Sequence, residues 1–204
     1  MSDEQEELLV DRDEYLAHGV HIGTKAHHKD MEDYIFHVKK NQLAVLNLED
    51  TDVQIRKAAE KLAEYEPEDI LVVGRKEEAK NAIDQFAKAT GVETVIGRFM
   101  PGSFTNPESE NFTEPELVFV TDPETDSQAI QEASQTNKYV IAIADSENNL
   151  DNIDMAIPAN NKSEKSIGMV YYLIAQELLA EKGKELKKDK DVFTPEIERE
   201  DEEE

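Results

Sequence analysis

The sequence predicts an α/β protein: a three-layer, flavodoxin-like doubly wound parallel sheet of about five strands, preceded by an N-terminal helix and a β-hairpin. Three observations predict it. Five short apolar runs begin near residues 70, 92, 117, 139 and 153. Stretches with apolar residues three and four apart, the spacing of one buried helical face, separate most of them. The runs are apolar on both faces, as in strands covered by helices above and below.

Taken in order, Asp11 or Asp13 caps a short helix through Tyr15 and Leu16 that stops before Gly19. A loop rich in His and Gly runs from Gly19 to Asp30. Tyr34–Val38 and Leu43–Leu48 read as a hairpin whose turn, Lys39-Lys40-Asn41-Gln42, lacks glycine. Thr51 with Gln54 three residues on reads as a capping box, with Ile55, Ala58, Ala59 and Leu62 on one face behind it. Ile70–Gly74 is the first sheet strand. Ala79, Ala82, Ile83 and Phe86 line the next helix, which Gly91 ends in the left-handed conformation. Val92–Ile96 is a strand, then a loop broken by Pro101, Gly102 and Pro107 leads to the strand Leu117–Thr121. Thr125 and Gln128 read as a second capping box, opening a helix with Ile130 and Ala133. Tyr139–Ala144 and Ile153–Ile157 are strands whose connection of about ten residues is short for a crossover helix. The last helix, from near Ser163 to about Lys182, is apolar almost all round from Ile167 to Ala175, so it packs deeply.

Composition limits the rest. A hydrophobic content of 38% suffices for one core, and one domain is expected over residues 8–182. Residues 1–7 carry four acids, and 191–204 carry eight against Arg199. Such runs repel themselves and bury little, so 1–7 are expected to be a disordered N-terminus and 183–204 a charged, mostly acidic tail. Without cysteine there are no disulfides, thiolate metal sites or cysteine nucleophiles. The first ten residues do not read as a signal peptide, and no apolar run has the length of a membrane span. The net charge of -25 comes from acids on helix faces as well as in the tails. Self-repulsion on that scale strains a compact state at low salt. At molar salt, where the Debye length falls to about 3 Å, most of it is screened, so the chain reads as built for a salty cytoplasm.

Three stretches spare themselves that acid. All five histidines lie between His18 and His37, where four lysines face three acids over residues 18–40. The candidate RNA contacts there are His18, Gly19, His21, Gly23, Thr24, Lys25, His27, His28, Lys29, Lys39 and Lys40. Histidine stacks on bases and donates to phosphate or 2′-hydroxyl groups without permanent charge. A metal site would need three or four histidines to converge, and no H-E-x-x-H spacing supports one. In the second stretch, Arg98, Phe99, Gly102, Thr105 and Asn106 have the chemistry to stack a base and hold a phosphate, while Phe99 and Phe104 have equally good reason to pin a long loop to the core. In the third, Asn160, Asn161, Lys162, Lys165 and Ser166 surround the start of the last helix, where free N–H groups and lysines suit an anion, against a plainer reading as capping by Ser163.

The strand ends that usually hold ligands in this fold class offer less. Neither a G-x-G-x-x-G nor a phosphate-binding Walker loop is present, and Asp122 and Asp145 read better as turn caps than as a metal pair.

These stretches, in this order, resemble the universal small-subunit ribosomal protein S-two family. Gly19-Val20-His21-Ile22-Gly23-Thr24 resembles its first signature, and Tyr34-Ile35-Phe36 with Asn47-Leu48-Glu49-Asp50-Thr51 resembles the family's next stretch. Gly97–Asn106 and Asp154–Gly168 are similar to its other marked segments. The resemblance covers roughly residues 8–182 and is to the archaeal–eukaryotic form, since only about ten residues separate Asn106 from the next strand where the bacterial form inserts a coiled coil. It implies a non-catalytic, cytoplasmic component of the ribosome that binds small-subunit rRNA and neighbouring ribosomal proteins, with no cofactor, metal, membrane or small-molecule substrate. His18 stands where the family usually has a small residue, and the acidic replacement pattern looks haloarchaeal. The alternatives are a nucleotide- or small-molecule-binding enzyme on the same fold and an acidic adaptor, since a fold does not fix a function.

Overall fold

The computed structural model describes residues 8–194. Helix α1 (Arg12–Ala17) is followed by a 3-10 turn (Lys29–Tyr34) and an antiparallel hairpin of β1 (Ile35–Val38) and β2 (Ala44–Leu46). Gln42 takes the left-handed conformation (φ 67°) that the turn needs in the absence of glycine. Then come α2 (Leu48–Ala63), β3 (Ile70–Gly74), α3 (Glu77–Thr90), β4 (Glu93–Ile96), β5 (Leu117–Val120), α4 (Ser127–Gln135), β6 (Tyr139–Ala144), β7 (Met155–Pro158), α5 (Glu164–Glu181) and α6 (Lys190–Phe193).

Strands β3–β7 form one parallel sheet in the order β4-β3-β5-β6-β7. The order reverses between β3 and β5, the doubly wound pattern expected from sequence. Because strand side chains alternate, the inner strands feed two cores. Ile70, Val72, Leu117, Phe119, Ile141, Ile143 and Ile157 pack with α2, α3 and α5. Leu71, Val73, Val118, Val120, Val140 and Ala142 pack with α4 on the other face. Helix α5 runs between α2 and α3, which is why it is apolar nearly all round.

The second face has one helix where two or three would be needed to cover it. No helix connects β4 to β5 or β6 to β7. The loop Gly97–Asn106 covers one gap by burying Phe99 and Phe104, whose ring centroids lie 4.9 Å apart. The segment after the histidine loop covers the other, with Met31 against Ala144 and Ala156.

Three local expectations are corrected. The cap of α2 is Asn47, whose side chain accepts the Glu49 N–H; Thr51 lies inside the helix and donates to the Pro158 carbonyl (2.6 Å), tying α2 to β7. Thr125 does not cap α4 but donates to Asp122, and α4 starts two residues later. The charged stretch after Lys182 is not all solvated: α6 packs on α5, with Phe193 fully buried and Thr194 nearly so. Gly168 permits this, since a Cβ there would meet the Phe193 carbonyl oxygen at 2.1 Å. One aromatic side chain outweighs the acid around it. The expected disordered residues 1–7, and 195–204 of the tail, lie outside the described residues.

Candidate nucleic-acid interface

The first and third acid-sparing stretches meet. After α1, Gly19 turns the chain at φ 69°, and residues 21–24 lie beside β2 through Gly23 N–H to Ala44 O (3.0 Å), Ala44 N–H to Thr24 O (2.9 Å) and Leu46 N–H to His21 O (2.9 Å). Asn160, just after β7, fastens the turn. Its N–H donates to Val20 O (3.0 Å) and its side-chain amide to Gly19 O (3.2 Å). Ser146, in the β6–β7 connection, fastens the next part. Its hydroxyl accepts the Thr24 N–H (2.9 Å) and donates to Ala26 O (3.1 Å), while its carbonyl accepts the His28 N–H (2.8 Å). Gly23 is needed at this junction, since a Cβ would meet Ser146 Oγ at 2.9 Å and Ala44 O at 3.2 Å.

Because backbone groups make these bonds, the side chains stay outside. Lys25, His27 and Lys29 are exposed. The His28 ring accepts the Asp30 N–H (3.3 Å) and faces the Asp30 carboxylate (3.4 Å), which makes it a turn residue as well as a surface one. His18 bonds Glu14 O through Nδ1 (2.8 Å); burial first, then the Lys165 charge, holds its pKa below the usual value. Lys39 and Lys40 are exposed in the hairpin turn.

At the start of α5, Lys162 and Lys165 are exposed while Asn161 and Ser166 are buried. Asn161 donates to Ile143 O (3.1 Å) and Asn148 Oδ1 (2.9 Å), so its work is inside the fold. Ser163 occupies the cap position without a side-chain bond to the helix, so the capping reading fails for its hydroxyl. Lys162 pairs with Glu147, and that hydrogen bond raises its pKa. Lys165 is therefore the freer cation.

The second stretch stands apart. Four strand spacings, about 19 Å at roughly 4.8 Å each, separate β4 from β7. The loop Gly97–Asn106 bonds to Glu132 of α4, whose carboxylate accepts from Gly102 N (2.7 Å), Phe104 N (3.1 Å) and Thr105 Oγ1 (3.3 Å). Burial alone would raise the Glu132 pKa, but these donors and Gln128 outweigh it and hold it below the usual value. Phe99 is buried and unavailable for base stacking; Arg98, Thr105 and Asn106 remain exposed.

The carboxyl ends of the sheet strands, where α/β enzymes bind substrates, are occupied by the protein's own side chains. Lys76 pairs with Asp122 (2.6 Å) and reaches Asn161 O (3.0 Å). Burial pushes Asp126 up to about 7, against backbone donors from Asp122 and Arg75, and pushes Asp145 up to about 6. A cavity of about 810 Å³ lies at the opposite, amino ends of the strands, lined by residues such as Pro115, Lys138 and Asp154. Among the described residues, no three His, Cys, Asp or Glu side chains gather in metal-binding geometry, and no helix is long and apolar enough to cross a membrane.

The family model described as Ribosomal protein S2 matches residues 15–113 and 108–180, spanning all three acid-sparing stretches. The chain belongs to the ribosomal protein S2 family. Among its relatives is the small ribosomal subunit protein uS2 of Methanococcus maripaludis strain C5, 45% identical over 183 residues that cover 90% of this chain and 82% of the relative. The protein of the same name from strain C6 is 44% identical over the same shares. Both relatives are archaeal, in line with the short segment between Asn106 and β5.

Two residues that hold the candidate stretches in place were not singled out from sequence. Ser146 lies in a polar loop with no motif around it, and only its proximity to Thr24 and Ala26 reveals its role. Glu132 sits at a helical position that reads as one more surface acid, yet it is 4% exposed. The one available signal was its place beside Ala129, Ile130 and Ala133 on the buried face of α4.

Proposed function

We propose that the chain is a structural component of the small ribosomal subunit that binds rRNA and neighbouring ribosomal proteins, located in the ribosome in the cytoplasm. It would do so through the joined surface of residues 18–30 and 160–165. The observation that carries this reading is the fastening of both stretches by Asn160 and Ser146, which leaves Lys25, His27, Lys29 and Lys165 pointing outward from a chain of net charge -25. Backbone N–H groups, histidines and lysines on one rigid surface suit phosphate and base contacts. Arg98, Thr105 and Asn106, with Lys39 and Lys40, would form separate outlying contacts, while Gly19, Gly23, Gly102, Asn160, Asn161 and Ser166 shape the surface.

The acid elsewhere fits a haloarchaeal-type, salt-rich cytoplasm. Counterion release contributes little to RNA affinity at molar salt, so binding there would rest on short hydrogen bonds, stacking and shape at the acid-sparing surface. Filling of the strand carboxyl ends by Lys76, Asp122 and Asn161 speaks against the alternative of a small-molecule enzyme.

The test is co-sedimentation with small subunits in molar potassium chloride. Lys25→Glu and Lys165→Glu should weaken incorporation about tenfold, and Lys162→Glu less, because Lys162 is already paired with Glu147. Lys80→Glu on α3 should change nothing. Equal incorporation of all four variants would overturn the assignment of this surface, and absence of the parent protein from subunits would overturn the function.

A further inference from the structure

A shallow groove of about 240 Å³ lies between α1 and the hairpin, next to the surface just described and sharing His21 with it. Its floor is apolar, with Leu16, Val45 and Leu46, and its rim holds Arg12, His21 and Lys39. No acid lines it, in a chain with 47 acids and 22 Lys and Arg residues. Phe36 stands at its edge, 66% exposed, the most exposed large apolar side chain among the described residues. That exposure is built into the backbone: the register slips between Ile35 and His37, so Phe36 occupies a bulge opposite β2. Bulges re-aim side chains, and this one aims an aromatic ring outward. The His37 ring holds it edge-on, with centroids 5.3 Å apart. His21 lines the groove and is only half-buried, so part of its ring is open to an incoming group.

We propose that this groove takes one unpaired base of an RNA strand, stacked on Phe36, with the flanking phosphates at Arg12 and Lys39 and a base edge on His21. This rests on the ribosomal reading above and adds a site to it. An exposed aromatic face next to cations is the general device for holding single-stranded nucleic acid, because every base has a π-face and every nucleotide an anion. An apolar protein side chain would fill the floor equally well but would leave the cations unmatched.

The test uses the full chain and small subunits stripped of this protein, in molar potassium chloride. Phe36→Ala should weaken binding about 5- to 140-fold, the range for loss of one stacked base, and Phe36→Trp should retain it. Both variants should keep the parent's melting temperature, since the ring is exposed. Ultraviolet crosslinking, nuclease digestion and mass spectrometry should then find a nucleotide on the peptide containing Phe36 and His37. The proposal requires both results. Unchanged binding of Phe36→Ala, or adducts at Lys25, Lys29 or Lys165 with none at Phe36–His37, would overturn it and leave the ribosomal reading standing. A crosslink from this peptide to another ribosomal protein without a nucleotide would overturn it in favour of a protein partner. No nucleotide adduct anywhere on the chain would count against the wider reading as well.

Discussion

The loops Gly97–Asn106 and Gly19–Asp30 are alike in sequence and opposite in use. Both are poor in acid, both contain glycine at positive φ, and both help to cover a gap on the same face of the sheet, the first with its own Phe99 and Phe104 and the second through Met31 just beyond it. The first turns its aromatics inward and gives its backbone N–H groups to the Glu132 carboxylate. The second is fastened by backbone bonds to Ser146 and Asn160, with the core contact left to Met31 a few residues on, so its charged and imidazole side chains face out. Composition marks a loop as unusual. Which groups are already satisfied inside the protein decides whether anything remains for a partner.

The strongest way to break the contrast is to remove the inward clamp. Glu132→Ala leaves the Gly102 and Phe104 N–H groups without acceptors, at about 1–3 kcal/mol each when buried. Urea unfolding should show a loss of roughly 3 kcal/mol, while folded protein at low temperature still joins subunits; an unchanged midpoint would mean the loop does not depend on this carboxylate.

Asp145, beside Ser146, is the next lever. Its folded pKa of about 6 lies above the ordinary carboxylate value, so the stability linked to its neutral form is full below about pH 4 and lost as pH rises through about 6. At about 1.4 kcal/mol per unit, charging it in place costs on the order of 3 kcal/mol at pH 8. Asp145→Asn should therefore gain about 2 kcal/mol relative to the parent between pH 4 and pH 8. A difference that is flat with pH would show that Asp145 titrates normally.

Ser146→Ala should act more gently on stability and more sharply on function. It unpairs the Thr24 N–H, worth about 1–2 kcal/mol. It also frees the loop that presents Lys25 and His27, so subunit binding should weaken by more than the stability loss explains. A variant with weakened folding and full binding would show that the outward loop does not need this fastening.

Much of the fold was legible because it arises from local repetition. Ile70–Gly74 and Tyr139–Ala144 match their predicted strands residue for residue, and the helix expected from Ser163 to about Lys182 is α5 with its two caps. The capping boxes were misread because Thr51 and Thr125 found better partners in Pro158 and Asp122, residues the local pattern does not contain. The site was legible as a set of unusual stretches but not as a surface. Phe99, Asn161 and Ser166 share their chemistry with their exposed neighbours and are separated from them only by burial.

The sequence by itself determined the strands, the helices and their parallel arrangement, together with the segments spared from acid. Periodicity and charge are local properties, written in consecutive residues. The tertiary structure decided which acid-sparing stretches meet, that Phe193 folds back onto Gly168, and that the bulge at Phe36 turns an aromatic ring to solvent. Each of these depends on residues far apart in the chain competing for the same hydrogen bond or the same buried space, and only the folded chain brings those competitors together.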